Sequence, residues 1–325
     1  MAYKVLIPQD ITDAGKNCLK ENGCEVIIGS GSDAETIARE VVDCDAILAR
    51  TAQYPKEVLA AARKLKVISR HGVGVDNIDI NYCDENGIAV SYAPLSNANS
   101  VAEHTMYLIM CCARNAMIID SEFRAGNFEI RNKIKGMDLE GKVLGLIGVG
   151  RIGQMVAKKA SLGFGMKVIG YDPYLKPENV PEGVTLVDSN EEVFKQADFV
   201  SLHTPATPET KRSVGMTQFK MMKKSAFLIN ASRGEVVNEE DLIAALEQGE
   251  IKGAGLDVFE QEPPAKDNKL LAMKNVIPTP HNAALTQEAM DRMGLHAAMG
   301  IVDVMNGKTP EWQINHPKNP RRSRK

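Results

Sequence analysis

Lys142-Val143-Leu144-Gly145-Leu146-Ile147-Gly148-Val149-Gly150-Arg151-Ile152-Gly153 is the stretch that decides the fold. Its first half is apolar and reads as a buried strand. Its second half is G-x-G-x-x-G and opens a helical pattern that runs through Met155, Val156 and Ala160. A second strand, Lys167-Val168-Ile169-Gly170-Tyr171, runs into Asp172, which lies 19 residues beyond Gly153 (172 − 153). Glycine is common in any turn, so the weight comes from the acid in register. Gly148 permits the tight turn, Gly150 lets backbone approach a pyrophosphate, and Gly153 lets helix and strand pack closely. The helix N-terminus then faces the phosphate charge. The segment predicts a dinucleotide site on Gly148, Gly150, Arg151, Ile152 and Gly153. Asp172 is placed to accept hydrogen bonds from the adenosine ribose, which favours NAD over a form with a 2′-phosphate.

Outward from this segment, short apolar strands alternate with helical patterns on both sides. Tyr3–Ile7, Glu25–Ile28, Ala46–Leu48, Lys66–Ser69 and Ile88–Val90 read as strands before it, and Thr185–Val187, Phe199–Leu202, Ala226–Ile229, Ala254–Val258 and Val276–Pro278 after it. That rhythm implies parallel sheets covered on both faces. The expected fold is α/β, with two Rossmann- or flavodoxin-like parallel-sheet domains joined by interdomain helices. At the joint, turn-rich Ala93–Asn99 leads into an apolar helix from Val101 to about Met117, with Ser100-x-x-Glu103 as a capping box. A polar, basic segment, 124–142, follows. Asn238 is a candidate cap for a helix over Glu239–Leu246. A last helix, Gln287–Met305, is free to cross back onto the first unit.

Composition narrows the function classes. The 325 residues carry a net charge of −3, with 44% hydrophobic and 25% charged residues, as in an ordinary globular enzyme or binding protein. Nothing in that balance points to nucleic acid or an anionic membrane, and no run is long enough to span one. The N-terminus goes straight into a strand without a signal peptide. The six cysteines show no CxxC pair and no metal-ligand spacing, so no metal is expected. A reducing, cytoplasmic setting fits best. The basic tail, Lys318–Lys325, is expected to be frayed.

A dinucleotide site does not define a reaction; reactive residues at later strand ends do. Asn230-Ala231-Ser232-Arg233-Gly234 follows one strand, Asp257 to Pro264 the next, and Thr279-Pro280-His281-Asn282 the one after. One guanidinium, one carboxylate and one imidazole are thereby set to converge. The combination suits interconversion of a 2-hydroxy acid and a 2-keto acid. His281 takes the hydroxyl proton in oxidation and returns it in reduction. Glu262 orients the imidazole and favours its charged form. Arg233 offers a planar pair of donors to the substrate carboxylate and reacting oxygen.

With these residues in view, the sequence resembles the D-specific 2-hydroxyacid dehydrogenase family over almost its whole length. The matching stretches are Arg70 to Asn77, Asn97 to Glu103, the glycine loop, Asn230 to Gly234, Asp257 to Pro263, and Thr279-Pro280-His281. The resemblance implies a substrate domain over 1–98 plus 290–325 and an NAD-binding Rossmann domain over 99–289. It implies that backbone around Val73 and Gly74 holds the substrate carboxylate and that Asn97 contacts substrate. On the cofactor side it implies Thr204 and Pro205 lining the adenosine, Ser232 beside the cofactor, and Asp257 meeting the nicotinamide carboxamide. A homodimer built through the cofactor domains is also implied.

Within the family the resemblance is nearest to short-form D-3-phosphoglycerate dehydrogenases. Arg50, Arg70 and Arg131 match positions whose cations meet the substrate phosphate. The segment 130–135 departs from that subgroup's usual composition, and His281 is followed by Asn282-Ala283-Ala284 rather than the commoner pattern. The best single reading is therefore 3-phosphoglycerate and 3-phosphohydroxypyruvate. Two alternatives stay open: hydroxypyruvate or glyoxylate reduction, and an NAD(H)-sensing protein like the corepressors of this fold. His71, His104, His203, His296 and His316 have no motif support as bases.

Overall fold

The computed structural model describes residues 2–321. They divide into two compact units, one formed by the chain up to Asn97 together with the residues from Leu285 onward, the other by Ala98–Ala284.

The first unit holds β1 (Tyr3–Ile7), β2 (Cys24–Ile28), β3 (Ala46–Ala49), β4 (Val67–Arg70) and β5 (Ala89–Ser91) in a parallel sheet of order β2-β1-β3-β4-β5. This is the flavodoxin-like order. Residues 46–49 are all buried because both faces of the sheet are covered. Ile37, Leu59, Leu65 and Ile88 pack on one face, and Leu19, Ala297, Ala298 and Ile301 on the other. The latter three lie on helix Gln287–Met305, so the last helix does return to the first unit. It crosses helix Asp13–Glu21 where two glycines meet: a Cβ on Gly15 would lie 2.6 Å from the Gly294 carbonyl oxygen. Beyond the helix, the chain adds to the sheet edge, with Gln313 bridging antiparallel to Ser91. The fraying expected from Lys318 is overturned as far as Arg321. Its guanidinium donates to the carbonyls of Ala62, Arg63 and Leu65, and its backbone N–H donates to that of Gly87. The rest of that tail, 322–325, lies outside the described residues.

The second unit holds β6 (Val143–Ile147), β7 (Lys167–Tyr171), β8 (Val184–Leu186), β9 (Phe199–Leu202), β10 (Phe227–Asn230), β11 (Gly253–Leu256) and β12 (Val276–Pro278). All pair in parallel, in the order β12-β11-β10-β9-β6-β7-β8. The order reverses at β6, whose neighbours are β7 and β9, so the crevice where such sheets bind ligands lies at its C-terminal end. One face is covered by helix Ala98–Arg114, with Leu108, Ile109 and Cys112 buried against it; Gly255 in β11 allows the approach, since its Cβ would sit 3.0 Å from that of Leu108. Asn238 caps helix Glu239–Glu247 as expected, its side chain accepting from the Asp241 N–H.

Two local expectations fail around the joint. Helix Ala98–Arg114 starts before Ser100, so Ser100 sits inside it and no capping box forms there. Glu103 instead accepts from the Asn99 side chain at 2.8 Å. The helix also stops short of Met117. Asn115 adopts the left-handed conformation (φ 50), and a second helix, Ala116–Arg124, begins after it. Asparagine tolerates that conformation better than most residues. The apolar pattern continues across the break, which is why periodicity alone does not reveal it.

Candidate active site

At the crevice the chain leaves β6 into the glycine loop. Gly148 has φ +93, and a Cβ there would press to 2.8 Å from the His203 carbonyl oxygen. Gly153 is equally constrained, with its Cβ 2.5 Å from the Gly148 carbonyl oxygen. Gly150 differs: a Cβ there meets nothing within 4 Å. Its side therefore faces open space at the start of helix Arg151–Lys158, where Arg151 and Ile152 form the first turn. Asp172, just past β7, is pinned by two backbone donors, Val149 N–H and Tyr174 N–H, each at 2.9 Å. Beside the loop, Thr204 has its methyl 3.2 Å from the position of a Gly148 Cβ, and its buried Oγ1 has no hydrogen-bond partner among the described residues. Pro205 follows, its carbonyl accepting from Thr210 Oγ1. Exposed amide backbone, a pinned acid and an orphan hydroxyl around open space fit a dinucleotide. His203 is partly buried and bonds to Ser201 at 3.0 Å; loss of hydration pushes its pKa down to about 4, which leaves it a neutral loop residue.

The three later strand ends carry the reactive groups. After β10, Asn230 builds the turn. Its Oδ1 accepts from the N–H and Oγ of Ser232, and its side-chain nitrogen donates to the Arg233 carbonyl at 2.9 Å. The Arg233 guanidinium donates to the Ser232 carbonyl at 2.7 Å. After β11, Glu262 Oε1 accepts from the Phe259 N–H at 3.1 Å, and Oε2 lies 2.7 Å from His281 Nδ1. The pair is partly open to solvent, with side-chain exposures of 36% and 50%, so a small ligand can reach the imidazole. Burial raises the Glu262 carboxyl, but the hydrogen bond and charge of His281 and the Phe259 N–H outweigh it and hold it below its ordinary value. His281 itself has φ 50, an uncommon conformation for a non-glycine residue.

Asp257 holds that loop. It is 1% exposed, and its carbonyl accepts from the His281 N–H at 2.8 Å. Its carboxylate accepts from the N–H groups of Asn282 and Ala283, each at 3.0 Å, and from Thr279 Oγ1 at 2.6 Å. His104 Nε2 lies 2.9 Å from that hydroxyl and 3.4 Å from the carboxylate. No motif flanks His104 in the sequence; it sits 153 residues from Asp257 (257 − 104), and only the fold brings them together.

In the first unit, Arg50 and Arg70 lie at the C-terminal edge of neighbouring strands, since Ala49 pairs with Arg70. Arg50 Nη1 donates to the Asp10 carbonyl at 2.7 Å, and Arg70 Nη1 donates to that of His71. Burial, together with these two cations, pushes buried His71 down to about 4. Val73 and Gly74 follow in the adjoining turn, where Gly72 has φ +137. Buried Asn97 has a side-chain oxygen with no partner among the described residues. Arg131 belongs to the second unit, on short helix Ile130–Lys133, with its guanidinium stacked 4.3 Å over Phe128.

Residues 106–283 match the family model for the NAD binding domain of D-isomer specific 2-hydroxyacid dehydrogenases. The chain is 43% identical over 98% of its length to the D-3-phosphoglycerate dehydrogenase of Methanocaldococcus jannaschii, covering 60% of that protein. It is 40% identical over 97% of its length to that of Archaeoglobus fulgidus, covering 59%. The chain therefore spans about 60% of the length of these curated relatives. Among solved structures, D-lactate dehydrogenase with NAD+ from Lactobacillus jensenii is similar with a TM-score of 0.80 and 31% identity, over 96% of this chain and 100% of that one.

Proposed function

The chain belongs to the D-isomer specific 2-hydroxyacid dehydrogenases, and from that premise we propose that it interconverts a D-2-hydroxy acid and its 2-keto acid with NAD, using 3-phosphoglycerate and 3-phosphohydroxypyruvate. The observation that carries the reading is the His281–Glu262 pair at 2.7 Å, one strand from the Arg233 turn and in the same unit as the glycine loop. When bound, NAD supplies the hydride acceptor, and NADH the donor. Arg233 binds the carboxylate and the reacting oxygen of the substrate and orients C2. In reduction, His281 gives its proton to the oxygen as negative charge develops; in oxidation it takes the proton back. Glu262 holds Nδ1, which aims Nε2 at the reacting oxygen. Ser232, Thr204 and Pro205 line the cofactor, and Asp257 serves its nicotinamide end.

The first unit supplies the substrate groups in this reading. Backbone at Val73 and Gly74 and the unpartnered Asn97 oxygen meet the acid, and Arg50 and Arg70 meet its phosphate. From the second unit, Arg131, stacked on Phe128, is the third cation assigned to the phosphate. A homodimer through the second unit is supported by exposed Tyr107, Met117, Phe123 and Phe128 on and after helix Ala98–Arg114. A cytoplasmic setting is supported by six free cysteines.

Turnover of 3-phosphohydroxypyruvate, hydroxypyruvate and glyoxylate with NADH and NADPH tests the proposal. The phosphorylated acid is expected to lead in kcat/KM by about tenfold or more, which corresponds to about 1.4 kcal/mol. Equal rates would remove the phosphate assignment; tight NADH binding with no turnover would favour a sensor. NADPH is expected to be poor, because Asp172 repels a 2′-phosphate. A separate check is Gly150→Val. Since its side faces open space, the variant is expected to fold normally yet bind NADH about tenfold or more weaker. Unchanged binding would move the pyrophosphate elsewhere.

A further inference from the structure

His281 is held in its left-handed conformation by its neighbours in the second unit, not by its own preference. Asp257 grips the loop on both sides of the imidazole, through its carbonyl to the His281 N–H and through its carboxylate to the next two N–H groups. A carboxylate can only accept, so the Thr279 hydroxyl donates to Asp257 at 2.6 Å and is free to accept from His104 Nε2 at 2.9 Å. The contacts thus form a directed chain that starts on helix Ala98–Arg114 and ends at the loop presenting His281. Burial raises the Asp257 carboxyl, yet the hydrogen bonds of His104 and Thr279 and of the Ala283 and Asn282 N–H groups keep it below its ordinary value, so it stays charged as a clamp.

We propose that His104 and Thr279 are positioning residues that act through Asp257 to hold the His281 loop. The inference rests on the dehydrogenase reading for its effect on turnover, but the clamp itself does not. A loop loosened behind the imidazole loses alignment with the reacting oxygen while the glycine loop, on another strand end, still binds the dinucleotide. His104→Leu keeps the bulk and removes the donor. His104→Gln keeps a side-chain N–H at a similar reach.

The test measures kcat, KM and NADH affinity, together with hydrogen exchange of the loop amides over 279–284, in the full chain. His104→Leu and Thr279→Val are each expected to lower kcat about tenfold or more, with NADH affinity within about twofold. They are also expected to speed exchange of the loop amides and leave helix Ala98–Arg114 protected. His104→Gln should recover most of both. Because the two side chains act in one chain, the double variant should cost little more than the worse single. Unchanged loop exchange, equal losses in His104→Leu and His104→Gln, or losses that multiply in the double variant would each overturn the proposal. If the unaltered chain turns over no 2-keto acid while the variants still loosen the loop, the dehydrogenase reading fails and the clamp stands.

Discussion

His281→Ala is expected to lower kcat by about 10²- to 10⁴-fold, the range that general acid–base groups supply, while NADH affinity changes by less than about twofold. The imidazole is the half-exposed ionisable group whose second nitrogen is fixed by a carboxylate at this site, and Glu262 fixes it at 2.7 Å. In the proposed mechanism the substrate oxygen then has no positioned proton donor, and Arg233 can only polarise it. The dinucleotide loop lies at a different strand end, so cofactor binding is insulated from the change. Steady-state rates and fluorescence titration with NADH separate the two. Loss of NADH binding together with turnover would sink the assignment of His281 as acid and base. The pairing also sets a pH expectation. The Glu262 carboxyl is lowered, so its charge is fully present above the ordinary carboxylate range and is lost only as pH falls through the depressed value. An acid-side loss of activity near neutral pH therefore belongs to another group. Both side chains are partly exposed, so the stability involved is small.

Much of this site was legible in the sequence because its chemistry is local. The glycine loop, Asp172 and the three strand-end turns each announce themselves within a dozen residues, and parallel βα rhythm says they share one sheet edge. The order reversal at β6 then brings the loops after β9 and β6 together, as Thr204 beside Gly148 shows. What stayed hidden depends on conformation or on distance along the chain. The break at Asn115 leaves the apolar pattern intact, because a single left-handed residue redirects a helix without changing its composition. Ser100 and Glu103 have the spacing of a capping box, but the helix already begins at Ala98, so both lie inside it. His104 reads as one more residue on an apolar helix. Its bond to Thr279 exists only because that helix lies across β11 and β12, which no spacing rule encodes. Asp257 reads as a cofactor contact by motif, yet its carboxylate is already engaged by backbone amides of the next strand's loop.

Gly234→Ala is expected to be the most damaging single methyl that can be added near the site. A Cβ there would lie 1.9 Å from the Phe259 carbonyl oxygen, 2.0 Å from its carbon and 2.6 Å from the Glu260 nitrogen. All three are backbone atoms, so no rotamer change relieves the clash, and one of two strand-end turns must move. Gly234 is tied in place on its own side: Asn230 holds the preceding Arg233 carbonyl, and the Val237 N–H bonds to the Gly234 carbonyl. The expected destabilisation is about 3 kcal/mol or more, at the upper end of overpacking, which for a unit of this size lowers Tm by about 6–12 °C. Gly163→Ala, where a Cβ meets nothing within 4 Å, is the matched control and should melt close to the unaltered chain. The clash also has a chemical consequence. Phe259 carries the N–H that holds Glu262 Oε1, and Arg233 precedes Gly234, so pushing the turns apart displaces the guanidinium from the carboxylate–imidazole pair. kcat is therefore expected to fall even at temperatures where the variant remains folded. Calorimetry and rates measured well below the transition check both halves. A melt and a kcat both equal to those of the Gly163→Ala control would mean that the two turns do not need this contact, and that the catalytic groups are held by their separate strands alone.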